Sequence, residues 1–204
     1  IGDEPYGVLK LAKIFDDYAV KGVFFVTTSE KNIFDEGFYK SLCIDLHSRG
    51  HEIGIHSHPE WMTKDDRIHM WQFSYEEQLS MLREMKQDIK QWIGEAPISH
   101  RAGAYGISYN TFKALEELNI KVDSSIFAEH KNCKVQLSYN NLIKINNLIE
   151  VPVTGFHKVK RLRIGLIKIP FFRAFVKTDI ETCSFEELKW FVDYGVSSNL
   201  KIFN

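Results

Sequence analysis

His56 and His58 stand one residue apart at the end of a short apolar run, Ile53-Gly54-Ile55, with Pro59 and Glu60 directly after them. In an extended strand, residues two apart share a face, so the two imidazoles can aim at one point. Pro59 has no N–H to give a sheet ladder, so a strand leading into it should stop there and leave the histidines at its mouth. Two neutral imidazoles beside a carboxylate form a donor set for a divalent cation, zinc first among them. Taken alone, the same residues also read as ordinary polar groups of a strand-ending loop. Two further chemistry-bearing residues close short apolar runs of their own: Arg101 after Ile98-Ser99-His100, and Asp123 after Ile120-Lys121-Val122. A guanidinium is a fixed fork of donors suited to orienting a catalytic carboxylate, and equally suited to a structural ion pair. Asp123 either lines a pocket or caps a turn with Ser124 and Ser125.

These residues need a scaffold that delivers strand ends to one edge, and the hydrophobic pattern supplies one. Apolar residues recur at helical spacing from Val8 to Ala19, from Phe38 to Arg49, from Leu79 to Trp92, from Phe112 to Leu118, and over 184–194. The third of these opens with Ser74 and Glu77, a capping-box pair, and closes at Gly94. Between the helices lie strand-length runs: Gly22 to Thr28, the stretch ending at His58, Ile98 to Arg101, Ile120 to Asp123, Leu148 to Val153, and Leu200 to Phe203. Strands alternating with helices predict right-handed βαβ units and a mainly parallel sheet, whose strand C-termini are where such folds build sites. One α/β domain over 1–204 is the expectation. The first helix has no strand before it, and the final run stops at Asn204, so the pattern reads as lacking its first strand and the end of its last.

Composition narrows the function classes. A formal net charge of -1, from 26 basic and 27 acidic residues, gives no electrostatic reason to expect nucleic acid. No apolar run approaches the ~20 residues of a membrane-spanning helix. Three cysteines, Cys43, Cys133 and Cys183, without paired spacing argue against a disulfide framework or a zinc knuckle. With no leader-like segment visible, a cytoplasmic location is the expectation. Trp61 and Trp71 flank a polar loop, where they can stack on sugar rings or pack inward. Tyr105 can offer its backbone N–H to a developing oxyanion, or simply pack. Lys158, Lys160, Arg161 and Arg163 alternate with apolar residues, a solvated face or a surface for an anionic partner.

Several stretches resemble the NodB-homology polysaccharide deacetylases, carbohydrate esterase family 4. Tyr18 to Val26 is similar to the family's strand ending in Phe-Phe-Val; Arg49-Gly50-His51-Glu52-Ile53-Gly54-Ile55-His56-Ser57 resembles the start of its metal-binding histidine motif. His100-Arg101-Ala102-Gly103-Ala104-Tyr105-Gly106 resembles its arginine motif, and Val122 to Ser125 and Glu150 to Val153 resemble later segments in the family's order. The resemblance implies a distorted (β/α) barrel and a metal-dependent hydrolase that removes acetyl groups from an acetylated amino sugar in a glycan. It implies a divalent metal, most often Zn2+, held by an Asp and two His, with a second Asp as base and a late His as acid. The family's second metal histidine lies four residues after the first, a position occupied here by Glu60. His58, followed by Pro59, is the preferred ligand through a shorter turn, with Glu60 the alternative. The paired aspartates are not visible; Asp3 beside Glu4 is the nearest candidate for the catalytic carboxylate, and the late histidine would fall beyond Asn204. The other function class left open is a catalytically silent glycan-binding module on the same fold.

Overall fold

The computed structural model describes residues 7–29, 35–64, 66–135, 137, 140–164, 167–179 and 183–198. Helices and strands alternate through the first two-thirds of the chain: α1 (Val8–Asp17), β1 (Val23–Val26), α2 (Glu36–Ser48), β2 (Glu52–Ser57), α3 (Tyr75–Ile93), β3 (Ser99–Ala102), α4 (Tyr109–Glu117) and β4 (Val122–Asp123). Then follow β5 (Ile143–Ile145), β6 (Leu148–Glu150), β7 (Gly155–Ile164), β8 (Ile167–Lys177) and α5 (Phe185–Ser197). The strands predicted over 98–101 and 120–123 are present, while that over 148–153 stops at Glu150. The predicted strand at Leu200–Phe203 and residue Asp3 lie outside the described residues. Not anticipated were β5 and the long antiparallel ribbon of β7 and β8. No helix among the described residues is long and apolar enough to cross a membrane.

Helix boundaries follow from local chemistry. Ser74 Oγ accepts the Glu77 N–H while Glu77 Oε2 accepts the Ser74 N–H, so two of the otherwise unpaired donors at the start of α3 are satisfied. Gly94 ends the helix at φ 81°, a conformation that costs a residue without Cβ little. The face of α3 carrying Leu82, Met85, Ile89 and Trp92 is buried against the sheet and the neighbouring helices.

The main sheet runs β1-β2-β3-β4-β6-β5, parallel except for the β5–β6 pair. Its register divides the site residues between two faces. Partners across a ladder share a face and neighbours along a strand alternate. His56 pairs with Arg101, so both lie on one face; Ile55, His100, Asp123 and Glu150 form a continuous row across β2, β3, β4 and β6 on the other. That second face is the one the helices cover: Ile53, Ile55, Ala102 and Leu148 belong to the core shared with α2, α3 and α4. The His56 face is more open, with Val23 and Ile149 each over two-fifths exposed.

Candidate metal centre

β2 carries His56 next to its last residue, Ser57, and His58, just past the strand, is the N-cap of the 3₁₀ segment Pro59–Trp61 through which the chain turns away. The two imidazoles meet edge to face, with ring centroids 4.7 Å apart and their Nε2 atoms separated by 3.1 Å. The other nitrogen of each ring is already engaged. His56 Nδ1 lies 2.8 Å from the carbonyl oxygen of Arg101, and His58 Nδ1 lies 2.7 Å from Glu60 Oε1. A carbonyl and a carboxylate can only accept, so each Nδ1 carries a proton, and in a neutral ring this leaves Nε2 with a lone pair. Two Nε2 atoms held 3.1 Å apart can share a proton or, when both are unprotonated, face a cation together. Tetrahedral zinc with ~2.05 Å bonds separates its ligand atoms by roughly 3.3 Å, close to what is found. Carbonyl and carboxylate partners on the far nitrogen are also the usual supports of a metal-binding imidazole. Burial pushes His56 down to about 4, more than the Arg101 carbonyl pulls it up, so its imidazole is neutral at physiological pH.

Glu60 therefore stands behind His58 and not beside the Nε2 pair. Among the described residues no three His, Cys, Asp or Glu side chains are placed to hold a metal ion together, so the donor set present here is two imidazoles. It fits a divalent cation in its chemistry and spacing, with further positions left for other donors.

The remaining predicted residues divide between the two faces. Arg101 joins the histidines: its guanidinium lies over the Phe25 ring and donates to the Ser124 carbonyl and hydroxyl oxygens at 3.0 and 2.6 Å. Asp123 does not join them. It lies on the helix-covered face, fully buried, accepting from His100 at 2.6 Å and from Ser125 at 2.7 Å. Tyr105 follows β3 in the turn Gly103–Tyr105, with its ring against Phe127 and His130. Ala104 and Tyr105 both have positive φ, 48° and 59°. Such left-handed non-glycine residues cost of order 1 kcal/mol or more each and gather at functional loops. Trp61, 40% exposed, ends the 3₁₀ turn with its ring available from solvent.

One residue of the arginine motif carries a role that the sequence alone does not assign. Gly103 lies against the His58 ring so closely that a Cβ there would fall 2.6 Å from Cε1 and Nε2. Only a glycine lets the ring pack that near the backbone. Its place inside the arginine motif, two residues after Arg101, was the available signal.

The chain matches the profile of the family described as polysaccharide deacetylase over residues 5–122, more than half of its length. No curated protein is significantly similar in sequence. Among solved structures, it is similar to a polysaccharide deacetylase-type protein of Mycobacterium smegmatis, with a TM-score of 0.54 and 19% identity, covering 72% of this chain and 45% of that one. A family 4 carbohydrate esterase from Streptomyces lividans gives a TM-score of 0.45 and 15% identity over 59% of this chain and 57% of that one. The chitin deacetylase of Colletotrichum lindemuthianum gives 0.47 and 19% over 59% and 51%. The chain thus spans about half the length of the solved structures it matches.

Proposed function

We propose that this chain, which belongs to the polysaccharide deacetylase family, carries part of the site of a divalent-metal hydrolase that removes acetyl groups from an acetylated amino sugar of a glycan. The observation that carries the metal half of this reading is the Nε2 pair. Each ring is fixed through Nδ1 so that the two Nε2 atoms face one another at 3.1 Å. His56 and His58 hold the cation, and zinc suits the nitrogen donors best. Bound there, a divalent cation polarises an acetyl carbonyl and lowers the pKa of a coordinated water towards neutrality.

The chain's own residues supply positioning. The Arg101 carbonyl and Glu60 keep both imidazoles in one tautomer, and burial keeps His56 from taking up a second proton. The Arg101 guanidinium, anchored on Ser124, places positive charge on the same face, where a catalytic carboxylate would be oriented. The exposed Trp61 ring offers a platform for a sugar face, and the strained Ala104–Tyr105 turn places backbone N–H groups near the end of β3.

The test is metal content and acetate release measured together on the full chain. Zinc bound by the wild type, acetate liberated from acetylated chitooligosaccharides, loss of both in His56→Ala and loss of turnover on chelation are the expected results. Zinc binding without turnover on any acetylated glycan supports the glycan-binding module instead. A full zinc complement in His56→Ala ends the metal assignment.

A further inference from the structure

The helix-covered face of the sheet holds a second polar assembly, which the proposed reaction does not use. His100, Asp123 and Glu150 are register partners on β3, β4 and β6, and each is fully buried. His100 Nδ1–H donates to Asp123 Oδ1 at 2.6 Å, and the Ser125 hydroxyl donates to the same oxygen at 2.7 Å. On its other side, His100 Nε2 lies 2.9 Å from Ser57 Oγ. Glu150 Oε1 accepts the Ile126 N–H at 2.8 Å. Asp123 Oδ2 and Glu150 Oε2 remain, both buried and neither given an N–H or hydroxyl by any other described residue.

Two adjacent carboxyls, both fully buried, do not both ionise. Asp123 collects two donors and is the natural anion; Glu150 collects one. A proton on Glu150 Oε2, donated to Asp123 Oδ2, satisfies both remaining oxygens with a single hydrogen bond. The electrostatics agree: burial, then the Asp123 charge, push Glu150 up to about 11. Burial acts to raise Asp123 as well, but the neighbouring His100 and the hydrogen bonds from His100, Glu150 and Ser125 outweigh it and leave it lowered. Arg101 and Cys133 are the other groups in electrostatic contact with Glu150.

We propose that Glu150 is a neutral, proton-donating acid at physiological pH, and that the buried chain Glu150–Asp123–His100–Ser57 makes it a positioning residue for the histidine pair. Ser57 is the residue between His56 and His58, and its side chain points into this core while theirs point out of it. Fixing Ser57 through His100 fixes the end of β2 from which both imidazoles project. The protonation of Glu150 stands independently of any function; the positioning half rests on the reading that His56 and His58 hold a metal.

The test compares the full-length wild type with Glu150→Gln, Glu150→Ala and Ser57→Ala. Gln reproduces the hydrogen bonds of a neutral acid, whereas Ala gives Asp123 nothing. Infrared spectra at neutral pH should show a buried protonated-carboxyl stretch that Glu150→Gln removes; its absence from the wild type overturns the protonation. The linkage has a definite sign. A folded-state value raised from 4.5 to about 11 means that stability is retained below 4.5 and lost as pH rises above it. From about pH 5 to about pH 8, the folding constant of the wild type should therefore fall by roughly tenfold per pH unit relative to Glu150→Gln. Parallel pH curves overturn the protonation. Zinc affinity should be rescued by Gln but weakened about 10–100-fold in Glu150→Ala and in Ser57→Ala, the latter keeping a measurement if the former does not fold. Unchanged affinity in Ser57→Ala overturns the positioning role. A wild type that binds no zinc overturns the metal reading and the positioning half together, while the infrared and pH results still decide the state of Glu150.

Discussion

Gly103→Ala is a steric probe of the histidine pair that leaves every donor atom in place. The added Cβ would lie 2.6 Å from His58 Cε1 and Nε2 and 2.8 Å from Cδ2, whereas ordinary contact begins near 3.4 Å. The ring must therefore retreat by about 0.8 Å, or the backbone after β3 must move by as much. Metal–ligand distances hold to within about 0.2 Å, so a shift of that size takes His58 Nε2 out of bonding range of a cation seated on His56. His58 is not free to follow a new path, because its Nδ1 is tied to Glu60 at 2.7 Å. Overpacking at a buried position costs about 1–3 kcal/mol of stability, which in a chain of this size lowers Tm by roughly 2–4 °C per kcal/mol. Zinc affinity should drop about 10–100-fold, or roughly 1.4–2.7 kcal/mol. Competition with a chromophoric chelator measures the affinity, and circular dichroism of the metal-free protein measures the Tm. A variant that folds and binds zinc within about twofold of the wild type refutes the reasoning, because the pair would then not be set by the Gly103 contact.

Two further substitutions test the supports of the fold and site. Glu60→Gln keeps an acceptor at His58 Nδ1 but removes its charge, and zinc affinity should fall by about tenfold in chelator competition with secondary structure unchanged; an affinity equal to the wild type's would show that Glu60 does not support His58. Arg67 forks onto Glu77 at 2.8 and 3.0 Å, and that hydrogen bond, with the Ser74 N–H, holds Glu77 down to about 2. A depressed folded-state value gives stability that is present above the ordinary 4.5 and is lost as pH falls towards 2, so Arg67→Met should flatten the denaturation midpoint against pH across that window; an unchanged profile removes the pair from the acid sensitivity of the fold.

Much of this architecture was legible because helices announce themselves twice, by period and by cap. The Ser74–Glu77 box and Gly94 bound α3, and Leu82, Met85, Ile89 and Trp92 of its apolar face are buried, while Leu79 is half-buried and the polar Gln78 is fully buried. The sheet was legible in order but not in face. Arg101 and Asp123 do close neighbouring strands, yet a strand shows its parity only through register, and one residue separates the two faces. His100 pairs with Asp123, which puts Arg101 and Asp123 on opposite sides of the same sheet edge. The choice between His58 and Glu60 was likewise a matter of turn geometry. Nothing in Pro59-Glu60-Trp61 announces a 3₁₀ turn that carries the carboxylate behind the imidazole. The β7–β8 ribbon was illegible for another reason: Lys158-Val159-Lys160 has the period of a strand, but Arg161 breaks the alternation, and such a charged run reads as a solvated surface when no partner strand is known.

The end of β2 shows why a His-Ser-His triplet serves a site better than adjacent histidines would. Two Nε2 atoms at 3.1 Å are a close pair whose geometry the surrounding fold has to set. On the reading proposed above, that hold cannot come from the open face, where cation and substrate would need room. It comes from the carbonyl and carboxylate on the far ring nitrogens, from the Gly103 backbone, and from Ser57, whose opposite parity sends it into the core. A strand end thus divides its labour by parity: alternate residues present the donors, and the residue between them takes its hold from the packed side of the sheet. A substitution beneath the sheet can for that reason loosen the site without touching it, whereas one on the open face alters the donors and leaves their support intact.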